Sequence, residues 1–252
     1  RMRAFTIFTT VWPHGHNAPS PIHVLKGSAS TTLHRIHQGV GPLVRYMTTL
    51  LCLPGEDWGE IQIPSHTRSI GVDSGADKAL DFGVECSLIV GDLDSVNRMR
   101  HPNAEFVELD SQEKNDLEKA LIFCLDRGWD DITIIGIRGG RPDMEIANIA
   151  AVMAADSKLE IQIIHPDMRA FRVNPQNPLD IVAPIGTEVS IFTNTLSKVQ
   201  TTGLEWEING ILEPGSRGVS NITKEARFTI KSESRVLVFV GNNQPSNGTQ
   251  AA

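Results

Sequence analysis

The 252-residue chain is poor in the features that mark secreted, membrane-bound or fibrous proteins. Its three cysteines, Cys52, Cys86 and Cys124, are far apart, odd in number and set in apolar stretches. Neither a disulfide framework nor a paired-cysteine metal site is indicated, and a reducing compartment fits best. No apolar run approaches the roughly 18 to 20 residues that cross a bilayer as a helix, so a soluble, cytoplasmic protein without a membrane partner is expected. Positive charge is also short: 23 Lys and Arg stand against 30 Asp and Glu, a formal net charge of -7, which argues against a nucleic-acid partner. Three familiar motifs are missing: G-x-x-x-x-G-K-S/T, G-x-G-x-x-G after a strand, and G-x-S-x-G. A P-loop NTPase, a standard dinucleotide enzyme and an α/β-hydrolase are thereby disfavoured. What remains is an ordinary globular composition, 40% apolar and 21% charged, long enough for one large domain or two smaller ones.

Charge divides the chain unevenly. Residues 1–46 hold five basic side chains, no acidic ones and five histidines, so the other 206 residues carry 18 basic and 30 acidic groups. This segment has no sustained period and contains a loop-forming run from Pro13 to Pro21, so it reads as a separate, poorly ordered extension. An organellar transit peptide, an extra arm, and sequence upstream of a true start at Met47 all fit, and the last is favoured because a clear strand begins beside Met47. His14, His16 and His23 read as solvated loop histidines.

From Met47 the pattern becomes regular. Apolar runs at Thr48–Leu53, Arg68–Asp73, Cys86–Gly91, Glu105–Leu109, Ile132–Gly136 and Glu160–His165 read as strands. Between them lie helical stretches at Ala76–Phe82, from Asn115 as N-cap to Arg127 before Gly128, and from Pro142 to about Asp156, each bounded by the appropriate start or stop residue. Strands that alternate with helices and read as near-continuous apolar runs predict an α/β domain over residues 47–168, its mostly parallel, Rossmann-like sheet covered on both faces. After Pro166, short alternating strands at Thr187–Phe192, Gln200–Ile208, Ala226–Ile230 and Arg235–Val240 predict an all-β sandwich over residues 170–243. Residues 244–252 read as a frayed tail.

Ligands of open parallel sheets bind beyond the carboxyl ends of the strands, and here those ends are acidic. Asp73 closes the second strand, and Asp92 and Asp94 follow the third. If extended backbone persists, Asp92 and Asp94 point the same way and repel unless a cation lies between them. Oxygen-only ligands suit Mg²⁺. Asp116 and Lys119 share a helix face, and Gly139-Gly140-Arg141-Pro142-Asp143 enters the next helix, where small residues and an arginine suit an anion. Taken singly, each Asp also fits a helix cap or a turn, and Arg141 a surface position.

In this order the elements resemble the thiamine pyrophosphokinase family: Asp73-Ser74-Gly75-Ala76, Gly91-Asp92-Leu93-Asp94-Ser95, Asn115-Asp116-Leu117-Glu118-Lys119 and Gly139-Gly140-Arg141-Pro142-Asp143-Met144, with Asn148 beyond. Gly203-Leu204-Glu205-Trp206 and Ser216-Arg217-Gly218-Val219-Ser220-Asn221 carry the likeness into the β region. The resemblance implies a homodimer with active sites between subunits and Mg²⁺-dependent transfer of pyrophosphate from ATP to thiamine, giving thiamine diphosphate and AMP. It implies catalytic roles for Asp73, Asp92, Asp94, Asp116, Lys119, Arg141 and Asp143, with Asp92, Asp94 and Asp116 as metal ligands. Ser74, Gly75, Gly91, Ser95 and Asn148 would lie on the ATP side, and Trp206, Ser220 and Asn221 on the thiamine side. Trp206 read without the resemblance is a sandwich core residue. Asn115, Ser74 and Met144 replace the family's usual Thr, Gly and a frequent His. Two alternatives stay open at this stage: a pyrophosphokinase for another hydroxymethyl heterocycle such as a pterin, and a catalytically silent nucleotide or thiamine sensor.

Overall fold

The computed structural model describes residues 48–59 and 61–242. The extension read at 1–46 and the tail at 244–252 lie outside them. Six strands form the parallel part: β1 (Thr49–Cys52), β2 (Arg68–Val72), β3 (Leu88–Gly91), β4 (Glu105–Glu108), β5 (Asp131–Ile135) and β6 (Glu160–Ile164). They lie in the order β6-β5-β1-β2-β3-β4. Alternate residues serve opposite faces, as the strand period requires. Leu51, Ile70, Val90, Ile132 and Ile163 share one core with α2 (Asp116–Asp126) and α3 (Pro142–Ala154). Leu50, Cys52, Ile89, Ile135 and Ile164 share another with α1 (Gly75–Asp81) and the buried Trp58. The sheet is thus covered on both faces.

The helix boundaries follow local chemistry. The Asn115 side chain accepts the Glu118 N–H at 2.8 Å, capping α2, which stops before Gly128 at φ +66°. Pro142 opens α3 where its missing N–H costs nothing. All three cysteines are buried and free. A hydrogen bond with Cys86, then burial, raises the Cys52 thiol, and burial pushes Cys124 up to about 12, so all three sit as packing residues.

Beyond β6 the chain turns back. His165 N–H donates to the Met168 carbonyl at 2.9 Å, and β7 (Met168–Val173) returns antiparallel beside β6. Three more strands, β9 (Glu188–Phe192), β12 (Asn221–Ile222) and β14 (Val236–Gly241), extend the same sheet. The result is a ten-stranded mixed sheet, β12-β9-β14-β7-β6-β5-β1-β2-β3-β4, unbroken across residue 168. A separate antiparallel sheet holds β8 (Leu179–Val182), β10 (Ser197–Thr202), β11 (Asn209–Leu212) and β13 (Arg227–Ser232). Its Val199, Phe228 and Ile230 pack in one core with Val173, Val189, Ile191 and Val238 of the larger sheet. Of the segment read as one strand over Gln200–Ile208, only residues 200–202 are strand, the end of β10. Gly203 breaks it at φ +84°, where a Cβ would stand 2.4 Å from the Arg227 carbonyl oxygen, and the chain returns as β11.

Arg172 ties β7 to the end of α3. Its guanidinium donates to the Ala155 carbonyl at 2.6 Å, to Asp156 at 2.7 Å and to Leu159, and burial lowers its pKa to about 10. The last carbonyls of a helix have no partner within it, so this buried side chain supplies donors that water cannot. Arg172→Met leaves two or more of these acceptors unpaired, at about 1 to 3 kcal/mol each. Thermal denaturation followed by circular dichroism is expected to show a melting point lower by about 5 to 15 °C; an unchanged melting point would show the contacts to be dispensable.

Candidate active site

Asp73 follows β2 directly, and its backbone N–H donates to the Val90 carbonyl at 2.8 Å, so the end of β2 is clamped to β3. It adopts φ +48°, a left-handed conformation that Asp tolerates better than most residues. Gly91, at φ +145°, ends β3 beside it; a Cβ there would lie 3.2 Å from Asp73 Cβ and 3.5 Å from Asp116 Oδ1. Glycine is what lets the ends of β2, β3 and α2 close on one another.

Extended backbone does not persist after Gly91, contrary to the sequence expectation. Leu93 turns the chain at φ +60° and buries its side chain. Asp92 and Asp94 nevertheless converge: ligand oxygens of Asp73, Asp92 and Asp94 all lie within 4.8 Å of one another. Asp73 thus joins Asp92 and Asp94 in the close trio, while Asp116, read as the third ligand, stands against Gly91 at its margin. Asp116 Oδ1 lies 2.7 Å from Lys119 Nζ, an ion pair off the direction of a hydrogen bond. The buried Lys119 ammonium also donates to the Leu109 carbonyl at 3.2 Å.

Burial pushes the Asp73 carboxyl above the ordinary carboxylate range; the Ser74 and Ser95 backbone N–H groups pull it back, and Asp116 and Asp92 raise it again. Among the described residues five buried side-chain polar atoms lack a hydrogen-bond partner, and three are Oδ1 of Asp73, Asp92 and Asp116. A buried carboxylate oxygen without a hydrogen-bond donor is costly; Asp116 Oδ1 has Lys119 Nζ beside it, which leaves the Oδ1 atoms of Asp73 and Asp92. A hard divalent cation with oxygen ligands supplies what this donor set lacks, so the residues fit Mg²⁺.

The other sequence candidates fall into three places. Ser74 precedes α1 without a side-chain cap bond, and Ser95 Oγ donates to Asp94 Oδ1 at 2.7 Å. A Cβ on Gly75 would lie 2.0 Å from the Cys52 carbonyl oxygen, so that glycine serves the packing of α1 on β1. Asn148, on α3, accepts from Asn115 Nδ2 at 3.0 Å, which links the start of α2 to the middle of α3. Arg141 and Asp143 are exposed and paired with each other at 2.6 Å; the pairing raises the Arg141 pKa and holds Asp143 below the usual carboxylate range. Beyond them α3 and Phe192 line an apolar trough of about 470 Å³ through Pro142, Ile146, Ile149 and Met153.

Trp206 is not a core residue: it is 61% exposed. The buried Asn221 side chain accepts the Trp206 N–H at 3.1 Å and donates to its carbonyl at 2.6 Å, so the indole is presented from a fixed backbone. Ser220, at φ +61°, donates its N–H to Ser190 Oγ at 3.0 Å. The three left-handed non-glycine residues among those described, Asp73, Leu93 and Ser220, all lie at or between candidate site residues, where backbone strain is characteristically retained.

Sequence reasoning missed one buried cluster. Asp57, after β1, bonds His165 Nδ1 at 2.7 Å and the Arg138 N–H at 3.1 Å. Each of these residues lies in a loop beyond the carboxyl end of a parallel strand, and the contact joins three such loops that are distant in sequence.

The family described as thiamin pyrophosphokinase, catalytic domain, matches residues 62–164. A thiamine pyrophosphokinase of Bacillus subtilis is 26% identical over 187 residues, 69% of this chain and 87% of that protein. The crystal structure of thiamine pyrophosphokinase from Bacillus subtilis superposes with a TM-score of 0.65 at 24% identity, covering 77% of this chain and 98% of that one. That of thiamin pyrophosphokinase from Candida albicans gives 0.65 at 16% identity, covering 78% and 89%. The chain is thus similar over residues 62–164 to the catalytic domain of thiamin pyrophosphokinases, and it shares the fold of their solved structures.

Proposed function

We propose that the chain is a thiamine pyrophosphokinase that transfers the terminal pyrophosphoryl group of ATP to the hydroxyl of thiamine, releasing AMP. The thiamine oxygen attacks the β-phosphorus, the bond from that phosphorus to the AMP oxygen breaks, and the hydroxyl proton is released. The observation that carries this reading is the convergence of Asp73, Asp92 and Asp94 at the carboxyl ends of β2 and β3, with an unpaired buried oxygen on Asp73 and on Asp92. We read the parallel part of the sheet as a Rossmann-like nucleotide-binding domain and residues 170–243 as the thiamine-binding sandwich.

Asp73, Asp92 and Asp94, with Asp116 beside them, would hold Mg²⁺. When bound, it offsets phosphate charge, the principal demand of phosphoryl transfer. Lys119 pairs with Asp116 and holds it in place. Gly139 and Gly140 open the backbone to an anion, and Arg141 exchanges Asp143 for phosphate, leaving that carboxylate for the thiamine. The exposed Trp206 ring stacks on the cationic thiazolium, with Ser220 and Asn221 fixing its loop.

Strand order supports a homodimer. Asn221 lies on β12, at one edge of the large sheet, seven strands from β2 and eight from β3. At about 4.8 Å per strand this separation is on the order of 30 Å, more than thiamine spans. A second copy is therefore needed to bring a Trp206 to the carboxylates. Buried, unpaired cysteines favour a reducing compartment, which we take as the cytoplasm. No helix of the described residues is long and apolar enough to cross a membrane.

Incubation of the full chain with ATP, Mg²⁺ and thiamine is expected to form AMP and thiamine diphosphate in equal amounts, and a chelator to stop both; neither product from a folded, ATP-binding sample would sink the reading. Asp94→Asn should lower turnover at least about a hundredfold. Mg²⁺ should raise the wild-type melting point through linkage but not that of the variant. Trp206→Ala should raise the KM for thiamine about tenfold, the worth of one cation–π contact, with the KM for ATP unchanged; a shift in the ATP value instead would misplace the indole.

A further inference from the structure

The pairing of β1 with β5 continues past both strands. Leu53 N–H donates to Ile135 carbonyl at 2.9 Å, Gly55 to Gly136 at 2.8 Å and Glu56 to Arg138 at 2.8 Å. The two loops are in backbone contact: a Cβ on Gly55 would stand 2.3 Å from both the Gly136 and Arg138 oxygens, and one on Gly136 2.3 Å from the Leu53 oxygen. Asp57 closes this seam. Its side chain is 4% exposed, Oδ1 accepts the Arg138 N–H at 3.1 Å, and Oδ2 lies 2.7 Å from His165 Nδ1 and 3.9 Å from Arg138 Nε. A carboxylate oxygen only accepts, so His165 Nδ1 carries the proton. His165 is itself fixed: its ring stacks on Phe239, and its carbonyl accepts from Asn242 Nδ2 at 3.1 Å.

This cluster lies where the sheet order reverses. From β1 the chain proceeds to β2, β3 and β4 on one side, while β5 and β6 lie on the other; ligands of open α/β sheets bind in the crevice beyond such a point. The loop gripped by Asp57 runs from Arg138, whose side chain is 47% exposed, through two glycines of positive φ to Arg141.

We propose that Asp57, oriented by His165, is a positioning residue that fixes the Arg138–Arg141 loop and directs the Arg138 guanidinium to the triphosphate of the nucleotide. The inference rests on the pyrophosphokinase reading and adds Arg138 as a polyphosphate contact. On this proposal Asp57 acts on ATP through Arg138 and has no part in holding thiamine.

The test compares wild type with Asp57→Asn, Arg138→Gln and the double variant by steady-state kinetics and by calorimetric titration with ATP. Each single variant is expected to raise the KM and dissociation constant for ATP about tenfold, the scale of one charge-assisted hydrogen bond. The kcat should stay within about threefold and the KM for thiamine should not move, the pattern of lost binding that is not specific to the transition state. The double variant should be no weaker than Arg138→Gln alone, because Asp57 acts through Arg138. His165→Gln, which keeps an amide donor, should fall closer to wild type than His165→Leu. Fully additive losses, or a lower melting point with unchanged ATP affinity, overturn the proposal. Should Asp57→Asn not fold, wild-type ATP affinity in Arg138→Gln, an exposed position, overturns it alone. A wild type that binds ATP without turnover refutes the catalytic reading while the binding comparison still decides this one; a wild type that does not bind ATP removes both.

Discussion

Asp73, Asp92 and Asp94 bring carboxylate oxygens within 4.8 Å of one another with Asp116 close by, and each near pair of like charges costs on the order of a few kcal/mol at the dielectric of a protein surface. Side chains free to choose would separate. They stay together because the backbone that carries them is held: Asp73 N–H is bonded to Val90, Gly91 takes φ +145°, and Leu93 is turned inward. The left-handed residues Asp73 and Leu93 show where the local cost is taken. The two buried cores around the parallel strands offset it, since the strand ends cannot splay without exposing Ile70, Val72 and Val90.

The same logic governs the seam between β1 and β5. Gly55, Gly136 and Gly139 permit backbone contact, and one buried carboxylate holds the two loops in register. These loops lie beside the carboxylates because β1 pairs with both β2 and β5. Acidic groups therefore gather on one side of β1, and the Arg138 to Arg141 loop on the other, an arrangement suited to a ligand carrying both a metal and phosphate charge.

The β strands after β6 present a different surface. Continuing the large sheet through β7, β14, β9 and β12 carries Asn221 to its far edge, and Asn221 holds Trp206 outward by its backbone rather than by packing the ring. Strand order separates it from the same chain's carboxylates by seven strands or more, and on this separation rests the proposal of a second copy.

Local patterns were legible in the sequence. The six parallel strands, the Asn115 cap, the Pro142 start of α3 and the acidic residues after β2 and β3 all follow from periods of two and 3.6 residues and from the conformational limits of Asn, Pro and Gly. Less was visible where partners are distant in sequence. The strand predicted over Gln200–Ile208 broke because Gly203 meets the Arg227 carbonyl, and Trp206 faces outward because Asn221, fifteen residues on, takes both its backbone groups. Asp57 and His165, 108 residues apart, meet only because β1, β5 and β6 are neighbours. The sequence by itself determined which segments form strands and helices and which chemistry their ends carry, since these depend on each residue and its near neighbours. Which carboxylates converge, which loop they face and which aromatic side chain is left exposed were decided by tertiary structure, because strand order and close backbone approach are properties of the assembled sheet.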